Sequence, residues 1–305
     1  MNLKKIATSL LAGLLAVTCV LPLASCSNSA DSSGTTAQQG NNENSDNEVV
    51  TAGEVKVKVL KMGRALAAVI RTETATVVID TGDEEHASDV ATYLAEKGIT
   101  TVDALILTNY SKKCIGGVPQ LLKSGITVKA VYGGTYAKDS NAYTLFSNAM
   151  ASYKLTTTTV GTQQTLTFGD VTLTLYPPTK NYSTLDDEND EGNSMAVVAA
   201  YGSNKMLFTS RVAGERMGEL TTQLSGVDVD CLVVPNFGAY DDNLAALLSA
   251  VKAEYAVIVA SNSNPPADLT LSALTAAGIT TEKTFVTRDG SIEISADGTT
   301  FSIKQ

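Results

Sequence analysis

The chain has 305 residues, 44% of them hydrophobic, with 22 Lys and Arg against 32 Asp and Glu for a formal net charge of −10. That balance makes nucleic acid an unlikely partner, because polyanion binding draws on clustered Lys and Arg, and it also opposes adhesion to anionic lipid or wall polymer. Beyond the N-terminus, no run reaches the roughly 18 apolar residues that a membrane span needs.

The first segment opens with Lys4 and Lys5 and continues as an apolar run over residues 6–23, followed by Ala24, Ser25 and Cys26. A charged start, an apolar stretch and small residues before a cut form the secretory pattern, and Leu-Ala-Ser-Cys resembles a lipobox. The expectation is a lipoprotein signal peptide over residues 1–25. Cys26 would be the lipidated first residue, which places the protein on the extracellular face of the cell membrane. An uncleaved anchor would explain the hydrophobicity but leave the position of Cys26 to chance. Removing residues 1–25 takes away two lysines and no acids, leaving 20 basic and 32 acidic side chains and a charge of −12.

Residues 26–52 are Ser, Asn, Gly, Thr, Gln and acids, with too little apolar surface to fold. As a flexible coil this linker would span about 28 Å. Residues 53–305 read as one α/β domain, interrupted only by an acidic polar loop at 179–192. Strands are predicted at 55–60, 67–71, 76–80, 104–107, 128–132, 171–176, 196–201, 205–208, 231–234, 256–259 and 292–295. Helices are predicted at 85–97, 141–153, 214–224, 242–252 and 269–277. Two mixed sheets with helices outside, an αββα sandwich of four layers, satisfy this order. Cys19 leaves with the signal, and the two remaining cysteines, Cys114 and Cys231, are expected to be unpaired, with Cys231 packed as a small hydrophobe.

Motifs along this domain carry a family resemblance. Thr108, Asn109, Tyr110, Ser111, Lys112, Lys113, Cys114, Ile115, Gly116 and Gly117 follow an apolar strand where metallo-β-lactamase-superfamily proteins have THxHxDHxGG. Met62 and Gly63 stand at a VGQGD turn, residues 79–82 at an IDTG turn, 208–211 at LTGD, 234–239 at VPHHGS, and 289–292 at a closing NGTI turn. In that order the landmarks resemble the metallo-β-lactamase-like domain of ComEC-type competence proteins and their free-standing extracellular relatives.

The resemblance implies a site in which His and Asp side chains hold two metals that activate water. Here Asn109 and Ser111 stand for the first two histidines, Lys113 for the Asp, Cys114 for the next His, Arg211 for the bridging Asp, and Asn236 with Phe237 for the His-His pair. Pro265 and Pro266 fall near the last ligand. Amides and hydroxyls are weak zinc ligands and cations repel a dication, about 4 kcal/mol at 4 Å for two unit charges in a dielectric of 20. Neither zinc nor manganese is expected.

Three readings of the altered pocket stay open. It is a relic whose cations Lys112, Lys113 and Arg211 are solvated or paired with Asp80, Asp83 or Asp241. It is an anion site in which Lys113 and Arg211, with Asn109 and Asn236, supply fixed charge and polar contacts, assisted by N–H groups at the Gly116–Gly117 helix entry. Or Cys114 is a nucleophile activated by Lys113 and by His86, the sole histidine,. Tyr110, Phe237 and Tyr240 are expected to line the rim. These residues point to a non-catalytic binding or scaffolding module taking a small anion, a wall component or a cell-surface protein. The competing class is a ComEC-like hydrolase of nuclease or phosphodiesterase type, active through a site the motifs do not reveal.

Overall fold

A computed structural model of the protein describes residues 50–137, 139–182 and 191–305. The predicted signal peptide, Cys26 and the linker up to residue 49 lie outside the described residues, as do residues 183–190 of the acidic loop.

The first half of the domain runs β1 (Val55–Val59), β2 (Ala68–Arg71), β3 (Thr76–Ile79), α1 (Asp89–Glu96), β4 (Thr101–Val102), β5 (Ala104–Leu107), α2 (Lys112–Ile115), α3 (Val118–Lys123), β6 (Thr127–Val128), β7 (Val131–Gly134), α4 (Asn141–Ser152) and β8 (Thr157–Val160). The second half runs β9 (Gln164–Phe168), β10 (Val171–Tyr176), β11 (Ala196–Tyr201), β12 (Asn204–Phe208), α5 (Glu215–Gln223), β13 (Cys231–Val233), α6 (Leu244–Val251), β14 (Tyr255–Ile258), α7 (Asp268–Ala276), β15 (Thr284–Val286), β16 (Ile292–Ala296) and β17 (Phe301–Lys304).

Two large sheets result, in the orders β17-β16-β1-β2-β3-β5-β7-β8 and β15-β14-β13-β12-β11-β10-β9, with β4 and β6 paired separately. Each is antiparallel at one side and parallel at the other. β3, β5, β7 and β8 are parallel in the first, and β12, β13, β14 and β15 in the second. All four residues of β3 and of β5 are buried, as a central parallel strand covered on both faces requires.

The period of two along each strand sets the layers. Val57, Ile70, Ile79 and Ile106 face Leu173, Val197, Phe208 and Val257 between the sheets. Their neighbours Val69, Val78 and Leu105 face the other way, onto Leu94 of α1, Leu121 of α3 and Phe146 of α4. In the second sheet Val198, Leu207 and Leu232 meet Leu220 of α5, Leu247 of α6 and Leu274 of α7. The architecture is therefore α/β in four layers, helix, sheet, sheet, helix.

Some boundaries differ from the sequence reading. The helix expected at 85–97 begins at Asp89, because residues 84–88 form turns held by the Asp83 carboxylate on the His86 amide. The strand expected at 128–132 is two strands. Lys129 donates to the Val102 carbonyl while Leu105 donates to the Ala130 carbonyl, so the chain passes from pairing with β4 to pairing with β5. Strands β8, β9, β15 and β17, unpredicted, all lie at sheet edges. Among the described residues no helix is long and apolar enough to cross a membrane.

Candidate functional site

The carboxyl ends of the parallel strands of both sheets converge, the place where open α/β sheets bind ligands. Asp80 follows β3, Thr108 and Asn109 follow β5, Ser210 and Arg211 follow β12, and Asn236 follows β13. Cys114 comes from α2, whose end approaches the turn after β3. Gly117 sits so close to it that an added Cβ would lie 2.2 Å from the Thr81 carbonyl oxygen, and one on Gly116 would lie 2.7 Å from the Asp83 backbone. Close backbone approach accounts for the Gly-Gly pair, and α2 and α3 are short.

At the centre is Asp80, with no exposed surface. Its carboxylate accepts from the Thr108 amide at 2.8 Å, the Thr108 hydroxyl at 2.5 Å and the Ser210 hydroxyl at 3.2 Å. Burial still dominates and pushes its pKa up to about 7. Cys114 Sγ lies 3.5 Å from the Ser210 hydroxyl and 3.7 Å from that of Ser111. Fully buried and next to Asp80, its thiol is pushed up to about 12. It is a protonated, enclosed thiol, unlike the activated nucleophile among the sequence readings.

The other substituted positions are also engaged within the protein. Asn109 donates to the Ser194 hydroxyl at 3.1 Å and accepts from the Ser111 amide at 2.7 Å. Lys113 Nζ lies 2.6 Å from one oxygen of Asp83, and His86 Nδ1 lies 2.7 Å from the other. That pairing matches the relic reading for Lys113. It also draws Lys113 and His86 to Asp83. The Asp83 carboxylate is held below its usual range; partial burial opposes this, and the hydrogen bonds and charges of Lys113 and His86 outweigh it. Asp241 accepts from the Gly214 amide at 2.5 Å and from Asn243 at 2.9 Å.

Arg211, 5% exposed, lies over the Phe237 ring at 5.4 Å, and Arg64 lies over the same ring at 5.9 Å. Arg64, from the turn after Gly63, brings a second guanidinium to the site that sequence reasoning missed, since nothing in its local pattern points to it. Tyr240 is 46% exposed, Phe237 is buried, and Tyr110, though 7% exposed, borders the cavity beside Ser111 and Lys112. Tyr110 packs edge-on against Tyr143 of α4 at 5.4 Å and donates to the Gly134 carbonyl. Pro266 does approach the site, packing on Gly238.

Local backbone is strained here. Among the described residues, four of the six non-glycine residues with positive φ are Asp80 (55°), Ser210 (49°), Asn236 (46°) and Phe237 (57°). Each such residue costs on the order of 1–3 kcal/mol and persists where its surroundings over-determine it. The Asn236 amide donates to the Ser210 carbonyl at 2.7 Å, binding two of these segments together.

An open cavity of about 950 Å³ lies on the outer side of the loop, lined among others by Ser111, Lys112, Pro119, Lys123 and Leu145. The Cys114 and Cys231 thiols are both free.

No protein-family profile matches the chain, and no curated protein matches it. Among solved structures it is similar to the metallo-β-lactamase fold protein YhfI from Bacillus subtilis, with a TM-score of 0.53 and 14% identity over 77% of this chain and 98% of that one. It is also similar to MEM-A1, a subclass B3 metallo-β-lactamase from a soil metagenome library, with a TM-score of 0.43 and 13% identity over 61% of this chain and 77% of that one. The chain has the metallo-β-lactamase fold.

A zinc or manganese centre needs convergent imidazole, thiolate or carboxylate donors. Among the described residues at the converging strand ends, Arg211 and Arg64 are cations, the Asp80 carboxyl is already occupied by three hydrogen bonds, and the Cys114 sulfur is a buried thiol. Asp83, Glu85 and His86 offer ligand atoms within 4.8 Å of one another, but both Asp83 oxygens are taken, one by the Lys113 ammonium.

Proposed function

We propose that the protein is a membrane-anchored extracellular lipoprotein whose metallo-β-lactamase-like domain, of the ComEC-related type, acts as a non-catalytic binding or scaffolding module. One observation carries this reading: at four of the inferred ligand positions, Asn109, Ser111, Lys113 and Cys114, the side chains bond to one another or to Ser194, Asp83 and Ser210. Amide, hydroxyl, ammonium and enclosed thiol groups engaged in this way are poor donors for a hydrolytic metal pair. The ligand we infer is a small anion, held by Arg211 with Asn236 and reached from the side of Arg64. Lys113 and Asn109 orient the loop through Asp83 and Ser194. Guanidinium groups suit planar oxyanions, which they can bind through two parallel hydrogen bonds.

The test is a thermal-shift screen with phosphate, sulfate, carboxylates and nucleotides, compared between wild type and Arg211→Gln. Stabilisation of wild type alone by an anion supports the reading, since any ligand that binds only the folded state raises the melting temperature. No shift with any anion removes the ligand assignment.

The Asp83–Glu85–His86 group favours a second reading, a hydrolase using an unrecognised metal site. It predicts nuclease or phosphodiesterase turnover with added manganese that Asp83→Asn and His86→Ala abolish; background turnover in wild type removes it.

A further inference from the structure

The four sheet edges are unequally protected. β17 carries Lys304, opposite Glu293. β15 is three residues long, next to the Lys283–Glu254 and Arg288–Asp289 ion pairs. The remaining edges, β8 and β9, lie within residues 155–169, Leu-Thr-Thr-Thr-Thr-Val-Gly-Thr-Gln-Gln-Thr-Leu-Thr-Phe-Gly, which hold no charged side chain and no proline. Natural sheets blunt open edges with charges, proline or bulges. Because only residues 161–163 join the two strands, the open edges of both sheets flank one side of the sandwich.

We propose that this side is an interface between two copies of the chain, with β9 adding antiparallel to β9 of the second copy about a two-fold axis near Leu166. Charge argues for a second copy. Two chains of −10 each repel over most of their surface,, and a stretch of fifteen uncharged residues between Lys154 and Asp170 lets them meet without apposing carboxylates. The two faces of β9 are also self-complementary. Leu166 and Phe168 are half-buried against the core between the sheets, so pairing extends that core across the axis.

The exposed face carries Thr165 and Thr167, opposite Thr174 and Thr172 of β10. Thr165 would then face Thr167 of the second copy, continuing one threonine row through both molecules. Threonine pairs across strands are favourable contacts. Such an interface is isologous and closes at two chains.

Sedimentation equilibrium of the full chain in density-matched detergent tests this directly. Wild type is expected at twice the 31.8 kDa chain mass. The double variant Thr165→Lys, Thr167→Lys is expected at once that mass with an unchanged circular dichroism spectrum, and Ser302→Lys on the opposite edge is expected to remain dimeric. As a check independent of destabilisation, mixed Thr165→Cys and Thr167→Cys chains should form a disulfide-linked heterodimer on mild oxidation. A wild-type monomer at the highest soluble concentration, a dimer that survives both lysines, open-ended higher oligomers, or no heterodimer cross-link would overturn the proposal.

Discussion

Asp80 is a carboxyl with no exposed surface whose pKa rises from its usual 3.8 to about 7 because burial outweighs the hydrogen bonds of Thr108 and Ser210. Its folded-state pKa lies above the unfolded one, so its contribution to stability is full below about pH 4 and is lost as pH rises through 7. The change is worth on the order of 4 kcal/mol. Asp83 and Asp103, both lowered, act in the opposite sense, and their contributions are lost only as pH falls below the ordinary carboxylate range. Urea denaturation of wild type and Asp80→Asn from pH 4 to 8 should therefore show wild type losing stability relative to the variant as pH rises, with a flat difference above 7. A difference constant across the range would mean that Asp80 titrates normally. Cys114 yields a second expectation: its enclosed thiol, pushed up to about 12, should be alkylated by iodoacetamide at pH 7 much more slowly than a free thiol. Mass spectrometry of the Cys114 peptide reads this, and a rate equal to or above that of a free thiol would revive the nucleophile.

Elements are joined by a few contacts with large consequences. Arg216 of α5 has no exposed surface and donates to the Ser194 and Tyr176 carbonyls at 3.1 and 2.7 Å and to Glu219 and Gln223 at 3.1 and 2.9 Å. It thus holds the end of β10, the approach to β11 and α5 in one network. Arg216→Ala should destabilise by about 3–5 kcal/mol, as losing one partner of a buried charged network does, read as a drop in the urea midpoint. Gly117→Ala places a methyl against the Thr81 carbonyl, and overpacking of this kind costs about 1–3 kcal/mol; a neutral Gly117→Ala would show that the loop can move away. Central strands such as β3, β5 and β11 were legible because apolar runs between turn residues mark a strand buried on both faces. β8 and β9 were not, because these threonine-rich, half-exposed edges carry no apolar run, and the break between β6 and β7 depends on partners distant in sequence.

For the whole molecule, the fold was legible from ordered landmarks at the ends of strands, and the αββα layers followed from the alternation within them. The site was only partly so. The sequence placed Asn109, Cys114, Arg211 and Asn236 in this site and offered Asp83 as one of three acidic partners for Lys113, but nothing in it marked Ser210 as bridging to Asp80 from the other sheet. Side-chain direction depends on the packing of both halves, which no local pattern encodes. The backbone signal was there in hindsight: Ser210 and Asn236, at positions of the LTGD-like and VPHHGS-like turns, both take positive φ.

In the proposed binding module this cleft has exchanged metal coordination for hydrogen bonds within the protein. The most direct measurement is the metal content of protein purified without chelator, incubated with zinc and manganese, and desalted. Well under one ion per chain is predicted, with no change in melting temperature on adding EDTA. Two tightly held ions per chain, lost together with a hydrolytic activity on EDTA treatment, would contradict it.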